Sequence, residues 1–174
     1  MASDTPSGQK RTIVLTGASD GIGAIAARSL AGPDTDLVLV GRSAKKLAPI
    51  AAETGARQFT ADFSALSEVR DLAAEINSAV GTIDVLMNNA GGTFDASHRT
   101  SDGHEPNFQI NHLAPFLLTH LVRDRLAAAP QSLVLNTSSV GNLFGKVDLD
   151  DLDFEKRRTL AMRPYGTAKL MNIL

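Results

Sequence analysis

The chain contains a single tyrosine, which lies four residues before a lysine in the segment Tyr165 to Lys169. In a helix, this spacing places the phenol and the ammonium group on one face. Tyrosine is a poor base at its ordinary pKa of about 10, and a nearby ammonium group favours the phenolate. The pair could therefore exchange a proton with a substrate. The same spacing is also frequent by chance, so this interpretation needs support from the surrounding elements.

Two serines, Ser138 and Ser139, lie just after the short apolar run from Leu133 to Asn136. Such a run is typical of a buried strand. Ser139 could donate a hydrogen bond to a substrate oxygen as negative charge develops there. Ser138, taken alone, is more simply a turn residue at a strand end. The strand end and the helix that carries Tyr165 are expected to converge on one crevice.

A glycine-rich segment, Thr16 to Gly23, follows another apolar run and opens a helical pattern. Strand, loop and helix in this order are the context of a dinucleotide-binding loop. Gly17 permits the tight turn, Gly21 lets the backbone approach a pyrophosphate at the helix N-terminus, and Gly23 allows close packing of the helix. The spacing is Gly-x-x-x-Gly-x-Gly, and a plain strand-to-helix turn is the alternative interpretation.

The second strand-like run ends in Val40-Gly41-Arg42, at the point where a dinucleotide-binding domain contacts the adenosine ribose. An acidic residue there binds the 2′-hydroxyl of NAD, whereas an arginine suits the 2′-phosphate of NADP. Because Gly41 supplies no carboxylate and Arg42 supplies a guanidinium, the segment favours NADP, with NAD as the second choice. Asp20 opposes this preference, because its carboxylate could lie near the 2′-phosphate and repel it.

Short apolar runs alternate with helical patterns from Arg11 onward. Runs that are apolar on both faces indicate a parallel sheet covered by helices on both sides. Right-handed crossovers make this a doubly wound α/β sheet, the Rossmann fold, with ligands at the carboxyl ends of the strands. The pattern predicts strands at 12–16, 37–40, 57–60, 83–87 and 133–136 and helices at 22–30, 44–53, 64–79, 106–129 and from Pro164, with Ser64 as the cap of the third helix.

The composition narrows the function classes. The 174 residues are 43% apolar and carry a net charge of −2, which is ordinary for a globular protein and gives no reason to expect nucleic acid as a partner. The absence of cysteine excludes disulfides, thiolate nucleophiles and cysteine-bound zinc. No run has the length of a membrane span. We therefore expect a soluble cytoplasmic protein, with residues 1–10 as a mobile tail and residues 11–174 as one dinucleotide-binding domain.

Other chemistries fit the sequence less well. A serine hydrolase needs a Gly-x-Ser-x-Gly elbow, and residues 136–140 lack its first glycine. The histidines have no zinc spacing, and His112 and His120 are interpreted as decorating a helix. The aspartates between Asp148 and Asp153 lack the glycine and the terminal glutamate of a calcium loop and are interpreted as a solvated acidic loop. No metal is expected.

In their order, spacing and strand placement, these segments resemble the short-chain dehydrogenase/reductase family. Thr16 to Gly23 is similar to the cofactor loop of that family, and Tyr165 to Lys169 to its Tyr-x-x-x-Lys motif. Asn88 to Gly91, at the end of the fourth strand, resembles its Asn-Asn-Ala-Gly motif. Phe108 to Leu113 resembles the helix that carries its active-site asparagine, and Asp62 matches the position that contacts adenine.

The resemblance implies hydride transfer between NADP(H) and a carbonyl or alcohol carbon, without a metal. It assigns a water-linked proton relay to Asn111 and orientation of the carbonyl to Ser139. Proton exchange falls to Tyr165, and Lys169 favours the phenolate and holds the nicotinamide ribose. The expected cofactor contacts are Gly17, Ser19, Asp20, Gly21, Ile22, Gly23, Arg42, Asp62, Phe63, Asn89, Ala90, Gly91, Tyr165 and Lys169.

Within the family, the segments Ile110 to Thr119 and Asp148 to Arg157 are most similar to the retinol-dehydrogenase and protochlorophyllide-reductase-like members, which favours a small or hydrophobic carbonyl or alcohol substrate. Relatives commonly pair through two long helices, which implies a homodimer or homotetramer. Family members continue with further strands after the position of Lys169, so we expect a truncated chain and a Rossmann fold that lacks its last strands. A catalytically inactive dinucleotide-binding or scaffold protein is the alternative.

Overall fold

A computed structural model of the chain describes residues 10–156 and 162–174. Within them, five parallel strands form one sheet in the order β3-β2-β1-β4-β5. The strands are β1 Arg11–Thr16, β2 Thr35–Gly41, β3 Arg57–Thr60, β4 Val85–Asn88 and β5 Leu133–Asn136. The helices are α1 Gly21–Leu30, α2 Ala44–Thr54, α3 Leu66–Ala79, α4 Pro106–Phe108, α5 Ala114–Leu121, α6 Arg123–Ala127 and α7 Met162–Met171, with a π-helical segment at Gln109–Leu113 and a 3₁₀ segment at Val140–Phe144.

The two faces of the sheet are buried against different helices. Successive residues of a strand point to opposite faces. Val14 and Val38 accordingly lie in the hydrophobic core formed with α3 and α5, whereas Leu15 and Leu39 lie in the core formed with α1 and α2. Burial on both faces explains the continuous apolar runs of the sequence and confirms the doubly wound α/β class.

The strand order reverses between β1 and β4, because the chain moves outward from β1 to β3 and then returns to place β4 on the other side of β1. In open α/β sheets, the crevice at such a switch point is the ligand site. The loops that follow β1 and β4 meet at this crevice: Asn89 Nδ2 donates a hydrogen bond to the Thr16 carbonyl at 3.0 Å. The motifs of the sequence therefore converge at one edge of the sheet.

The prediction that Ser64 caps α3 is wrong. Ala65 is the N-cap residue and offers no side-chain oxygen, and the first N–H of the helix, that of Leu66, donates to Asp102 Oδ2 at 2.8 Å. Ser64 is held in a turn before the helix, since its N–H donates to Asp62 Oδ1 at 2.9 Å. A cap supplied from 36 residues away leaves no local sequence signal.

The long helical pattern from Pro106 to Ala129 is present but interrupted. The π-helical segment Gln109–Leu113 divides it, and α5 and α6 meet at Val122. Pro115 explains the first interruption: in an α-helix, its N–H would bond the carbonyl of Asn111, and proline has none. A π-helical turn adds one residue to the repeat and commonly marks a functional site.

The last helix extends further toward the N-terminus than predicted. It is already present at Met162, so Pro164 lies within it instead of opening it. A proline is tolerated in a first turn because the first four N–H groups of a helix have no intrahelical partner. The predicted mobile tail lies outside the described residues, except for Lys10. No helix among residues 10–156 and 162–174 combines the length and apolarity needed to cross a membrane.

The interpretation of Asp148 to Asp153 as a solvated loop is wrong for two of its aspartates. Asp151 is buried, and its Oδ1 accepts the N–H of Glu155 at 2.7 Å. Asp153 lies 3.0 Å from His104 Nδ1. Asp151 therefore fixes the loop through a local hydrogen bond, and Asp153 joins the loop to His104 and Glu105. In the part of the chain that the structure describes, no three histidine, aspartate or glutamate side chains are grouped to hold a metal ion.

Candidate active site

An open cleft of about 780 Å³ lies at the carboxyl ends of the strands. Fifteen of the sixteen residues predicted for catalysis or cofactor binding line it. Those residues are Gly17, Ser19, Asp20, Gly21, Ile22, Gly23, Arg42, Asp62, Phe63, Asn89, Ala90, Gly91, Ser139, Tyr165 and Lys169. The remaining one, Asn111, is buried behind Gly92, which does line the cleft. The structure thus brings the predicted site together, while the role of each residue stays a prediction.

The glycine loop is compact because two of its residues have no side chain. Gly17 has a φ of +71°, in the left-handed region, and a Cβ there would lie 2.7 Å from Ala90 Cα. A Cβ on Gly23 would overlap the Gly17 carbonyl and lie 2.7 Å from Asn89 Nδ2. The N-terminus of α1 therefore approaches the end of β1 closely, where its N–H groups and positive dipole end can hold a phosphate.

Hydrogen bonds from Thr16 join this loop to the end of β4. Its hydroxyl oxygen accepts the N–H groups of Asn89 and Ala90, each at 3.0 Å, and donates to the Met87 carbonyl at 3.2 Å. Thr16 is fully buried. A buried hydroxyl with three partners fixes the two loops relative to each other, so the walls of the cleft are preformed.

The edge of the cleft beside β2 carries three charged groups. Asp20 is the N-cap of α1, accepts the N–H of Gly21 at 2.8 Å, and forms an ion pair with Lys46 at 2.8 Å. The hydrogen bond from Lys46, followed by that from Gly21, holds the pKa of the Asp20 carboxyl below its usual range. Lys46 and Arg42 both line the cleft, so two cations and one anion surround this corner. Sequence reasoning missed Lys46, whose only signal is its place in the first turn of the helix that follows Arg42.

At the other end of the cleft, Tyr165 and Lys169 project from α7 toward the end of β5. The Lys169 ammonium lies 5.8 Å from the centre of the tyrosine ring and donates to the Thr137 carbonyl at 2.9 Å. Lys169 is 3% exposed, and burial lowers the pKa of its ammonium group. A buried cation beside a phenol is the arrangement that proton exchange by tyrosine requires.

Ser139 faces the same space. Its Oγ accepts the N–H of Gly141 at 3.1 Å, and a Cβ on Gly141 would lie 3.0 Å from the Tyr165 ring and 3.4 Å from that Oγ. The tyrosine ring and the serine hydroxyl therefore both border the space that a side chain at Gly141 would fill. Because a hydroxyl can donate while it accepts, the bond from Gly141 orients Ser139 without using its hydrogen.

Ser138, on the cleft wall, and Asn111, behind it, hold neighbouring segments in place. The Ser138 hydroxyl donates to the Lys169 carbonyl at 2.7 Å and so ties α7 to the end of β5. The Asn111 side chain forms two hydrogen bonds with the backbone of Gly92, at 2.9 and 3.0 Å, and one with the Asn107 carbonyl at 3.0 Å. This amide therefore holds the loop after β4 against the π-helical segment.

The interpretation of His112 as helix decoration is wrong. Its Nδ1 lies 3.0 Å from Asn172 Oδ1, and its ring stacks between those of Phe108 and Phe116. Asn172 in turn donates to the carbonyls of Asn111 and Thr137. Sequence reasoning missed Asn172, because its partners lie 35 or more residues away.

Comparison with known proteins gives one family. The family model described as short chain dehydrogenase matches residues 11–148. The chain is 41% identical over 170 residues to the "Putative daunorubicin C-13 ketoreductase DnrU" of Streptomyces sp. (strain C5) and 34% identical over 173 residues to human retinol dehydrogenase 13. These alignments cover 94% of this chain but 58% and 52% of the two relatives, so the chain spans little more than half of their length.

Solved structures give the same result. A crystal structure of an uncharacterised protein from Mycobacterium paratuberculosis superimposes with a TM-score of 0.84 at 34% identity, covering 98% of this chain and 61% of that one. The NADPH complex of the "putative short chain dehydrogenase" of Escherichia coli CFT073 gives a TM-score of 0.71 at 26% identity, covering 94% of this chain and 67% of that one. The predicted similarity to retinol dehydrogenases is thereby confirmed.

Proposed function

The chain belongs to the short-chain dehydrogenase/reductase family, and we propose that its cleft binds NADP(H) and catalyses hydride transfer between the nicotinamide and a carbonyl or alcohol carbon. The observation that carries this proposal is that Ser139, Tyr165 and Lys169 line the same cleft as the glycine loop. The glycine loop leads into the N-terminus of α1, whose N–H groups and positive dipole end can hold a pyrophosphate. An active site that needs both a nucleotide and a proton donor requires these two ends in one cavity.

The residues of the chain divide the reaction between them. In the reducing direction, NADPH held in the cleft would supply a hydride to the carbonyl carbon and would itself be oxidised. Tyr165 donates its phenolic proton to the carbonyl oxygen, and Ser139 donates a hydrogen bond to that oxygen as its negative charge develops. Lys169 stabilises the phenolate that results and binds the ribose of the nicotinamide. Asn111 acts at a distance, by holding Gly92 in place.

NADP is favoured over NAD because Arg42 and Lys46 both line the cleft beside β2. The ion pair of Lys46 with Asp20 removes the objection that the Asp20 carboxylate raises, since its charge is balanced. The E. coli relative crystallised with NADPH supports the same choice. A thermal-shift comparison tests it, because a ligand that binds the native state raises its stability. NADPH should raise the melting temperature more than NADH does at equal concentration; an equal or larger shift with NADH contradicts the preference.

A hydrophobic carbonyl or alcohol is the proposed substrate class. Phe94 and Ile110 supply apolar surface to the cleft. Among the relatives, one is named as a ketoreductase and others as retinol dehydrogenases, which fits a substrate of this kind.

In its cellular form, we expect the protein to be a cytoplasmic homodimer or homotetramer. Light scattering of the purified protein measures the state of assembly, and a monomer would contradict the expected dimer or tetramer.

The decisive experiment measures binding and turnover together. The chain is assayed for NADPH binding by calorimetry and for NADPH oxidation with a panel of apolar ketones and aldehydes. We expect Tyr165→Phe to abolish turnover and to leave NADPH affinity within about twofold, because the variant lacks only a hydroxyl. Retained turnover would refute the role of Tyr165. Binding without turnover in the wild-type chain would instead support a dinucleotide-binding scaffold.

A further inference from the structure

The carbonyl group of Asn111 lacks its ordinary helical partner. In an α-helix this oxygen would accept the N–H of the residue four positions later, which is Pro115 and has none. The π-helical segment Gln109–Leu113 accommodates the proline. Asn111 is fully buried, so its carbonyl needs another donor.

The side chain of Asn172, just beyond the end of α7, supplies such a donor. Its Nδ2 lies 3.0 Å from the Asn111 carbonyl oxygen and 3.3 Å from that of Thr137. One amide thus joins three elements: the π-helical segment, the end of β5 and the end of α7. The amide cannot turn over without losing both bonds, because an oxygen would then face two carbonyl oxygens.

His112 fixes the orientation of this amide. Asn172 Oδ1 must accept a hydrogen bond, so His112 Nδ1, at 3.0 Å, carries the hydrogen. The imidazole is itself held in place, since its ring centre lies 6.0 Å from that of Phe108 and 6.2 Å from that of Phe116, in stacked geometry. Neutral and protonated imidazole can both donate from Nδ1, so the contact does not depend on the charge of His112.

The Thr137 carbonyl links Asn172 to Lys169, the lysine of the proposed active site. This oxygen accepts the Asn172 amide and also the Lys169 ammonium, the latter at 2.9 Å. Lys169 and Asn172 lie three residues apart on the same helical end, and the Ser138 hydroxyl binds the Lys169 carbonyl between them. The position of the ammonium in the cleft therefore depends on how β5, α7 and the π-helical segment are held together.

We propose that Asn172, oriented by His112, is a positioning residue that holds the Lys169 ammonium where the ribose of the nicotinamide binds. This inference rests on the proposed function, since it assigns a task to Lys169 within that site. It predicts that loss of the Asn172 amide has a selective effect. Cofactor contacts should weaken at the nicotinamide end of the cleft, beside Tyr165 and Lys169, and persist at the adenosine end, beside the glycine loop and Arg42. A residue that served stability alone would weaken both ends or neither.

Calorimetry with two ligands distinguishes a positioning role of Asn172 from a role in stability alone. NADPH reaches both ends of the cleft, whereas adenosine 2′,5′-bisphosphate carries only the adenosine end. We expect Asn172→Ala to lower the affinity for NADPH about tenfold, the order of one or two lost hydrogen bonds, and to leave the affinity for adenosine 2′,5′-bisphosphate unchanged. His112→Phe keeps an aromatic ring in the stack but removes the donor, so it should weaken NADPH binding in the same selective way by a few-fold.

Asn77→Ala is the matched control. The Asn77 amide also donates to a backbone carbonyl, that of Leu121 at 3.1 Å, and ties α3 to α5 far from the cleft. It should change neither affinity, even where its melting temperature falls as much as that of Asn172→Ala. Equal loss of both ligands in Asn172→Ala and His112→Phe, or no loss in either variant, overturns the positioning role. If Asn172→Ala does not fold, His112→Phe alone decides. A wild-type chain that binds neither ligand refutes the proposed function itself, and this inference with it.

Discussion

The two ends of the cleft are built in different ways. At the nucleotide end, one continuous segment supplies Gly17 and residues 19–23 of the lining. At the reaction end, side chains bridge segments far apart in the sequence: Asn172 reaches Asn111 across 61 residues, and Ser138 reaches Lys169 across 31. The nucleotide end is thus one continuous loop that Thr16 and Asn89 tie to the end of β4, whereas the reaction end is assembled by side chains from several separate segments.

The charges of the two ends differ as well. Asp20 and Lys46 form an ion pair at the surface, where their side chains are 76% and 62% exposed. Lys169 is 3% exposed, and its ammonium group donates a hydrogen bond to the neutral Thr137 carbonyl at 2.9 Å. Exposed pairs contribute little to stability and can rearrange around a ligand, whereas a buried charge lowers the stability of the fold that holds it. The proposed selectivity for NADP thus lies in a part of the molecule where substitutions should change the stability of the fold little.

The largest effect is expected from a substitution that disrupts ligand binding at the nucleotide end. Gly23→Ala introduces a methyl group that would overlap the Gly17 carbonyl, and backbone cannot move aside as a flexible side chain can. Overpacking of this kind costs about 3 kcal/mol, so we expect the affinities for NADPH and for adenosine 2′,5′-bisphosphate both to fall roughly 100-fold. Calorimetry with the two ligands measures this.

Gly32→Ala is the control for this change, because a Cβ there meets no atom within 4 Å. It should leave both affinities within about twofold. If Gly23→Ala bound adenosine 2′,5′-bisphosphate normally, the adenosine end would not depend on the close approach of α1 to the loop, and the contrast between the two ends would be lost.

Smaller effects on cofactor affinity are expected from substitutions of the exposed ion pair, and they test the difference in charge between the two ends. Lys46→Ala leaves the Asp20 carboxylate without its partner beside the proposed 2′-phosphate site, so NADPH affinity should fall about tenfold while NADH affinity is unchanged. Asp20→Asn keeps a capping side chain for α1 and removes the negative charge, and it should strengthen NADPH binding by a few-fold. Both effects should weaken as the salt concentration rises.

Binding titrations with the two cofactors measure these changes. Equal losses of NADPH and NADH affinity in Lys46→Ala would place Lys46 in the general scaffold of the loop instead of at a phosphate site. Asp20→Ala serves as the comparison that removes the cap as well as the charge, which separates the two functions of this residue.

The features that could be predicted from the sequence, and those that could not, divide in the same way, between contiguous segments and contacts made only by the fold. Contiguous residues form the glycine loop, each strand of the parallel sheet and the motif at Asn88 to Gly91. The structure places all of these segments as their spacing indicated. The cap of α3 and the contact of His112 with Asn172 escaped prediction, because each joins residues brought together only by the fold. A local pattern cannot report a partner that lies 36 or 60 residues away.

One missed feature did carry a local signal. Pro115 stands four residues after Asn111, and this spacing alone removes the helical partner of the Asn111 carbonyl. A proline within an otherwise continuous helical pattern therefore predicts a freed carbonyl as well as an irregular turn. In this chain, the freed carbonyl belongs to Asn111, the residue that the family resemblance assigns to the active site, and it accepts the Asn172 amide.

The smallest expected effect concerns the stability of the reaction end as a function of pH. Burial lowers the pKa of Lys169 in the folded chain, so between that value and 10.5 the unfolded chain binds more protons than the folded one. The free energy of unfolding should therefore rise with pH across this window. Lys169→Met removes the buried charge and should stabilise the fold by about 1 kcal/mol at neutral pH, an advantage that shrinks as pH rises toward 10.5.

Urea unfolding of the wild type and of Lys169→Met, over a series of pH values from neutral upward, measures this difference, with Lys45→Met at an exposed position of α2 as the control. A constant difference between wild type and Lys169→Met would mean that the ammonium is as well solvated in the fold as in the unfolded chain. The fold would then bear no cost for placing Lys169, and the contrast between a permissive nucleotide end and a costly reaction end would fail. A difference that falls with pH, absent in Lys45→Met, would show that the chain gives up stability to keep a cation beside its only tyrosine.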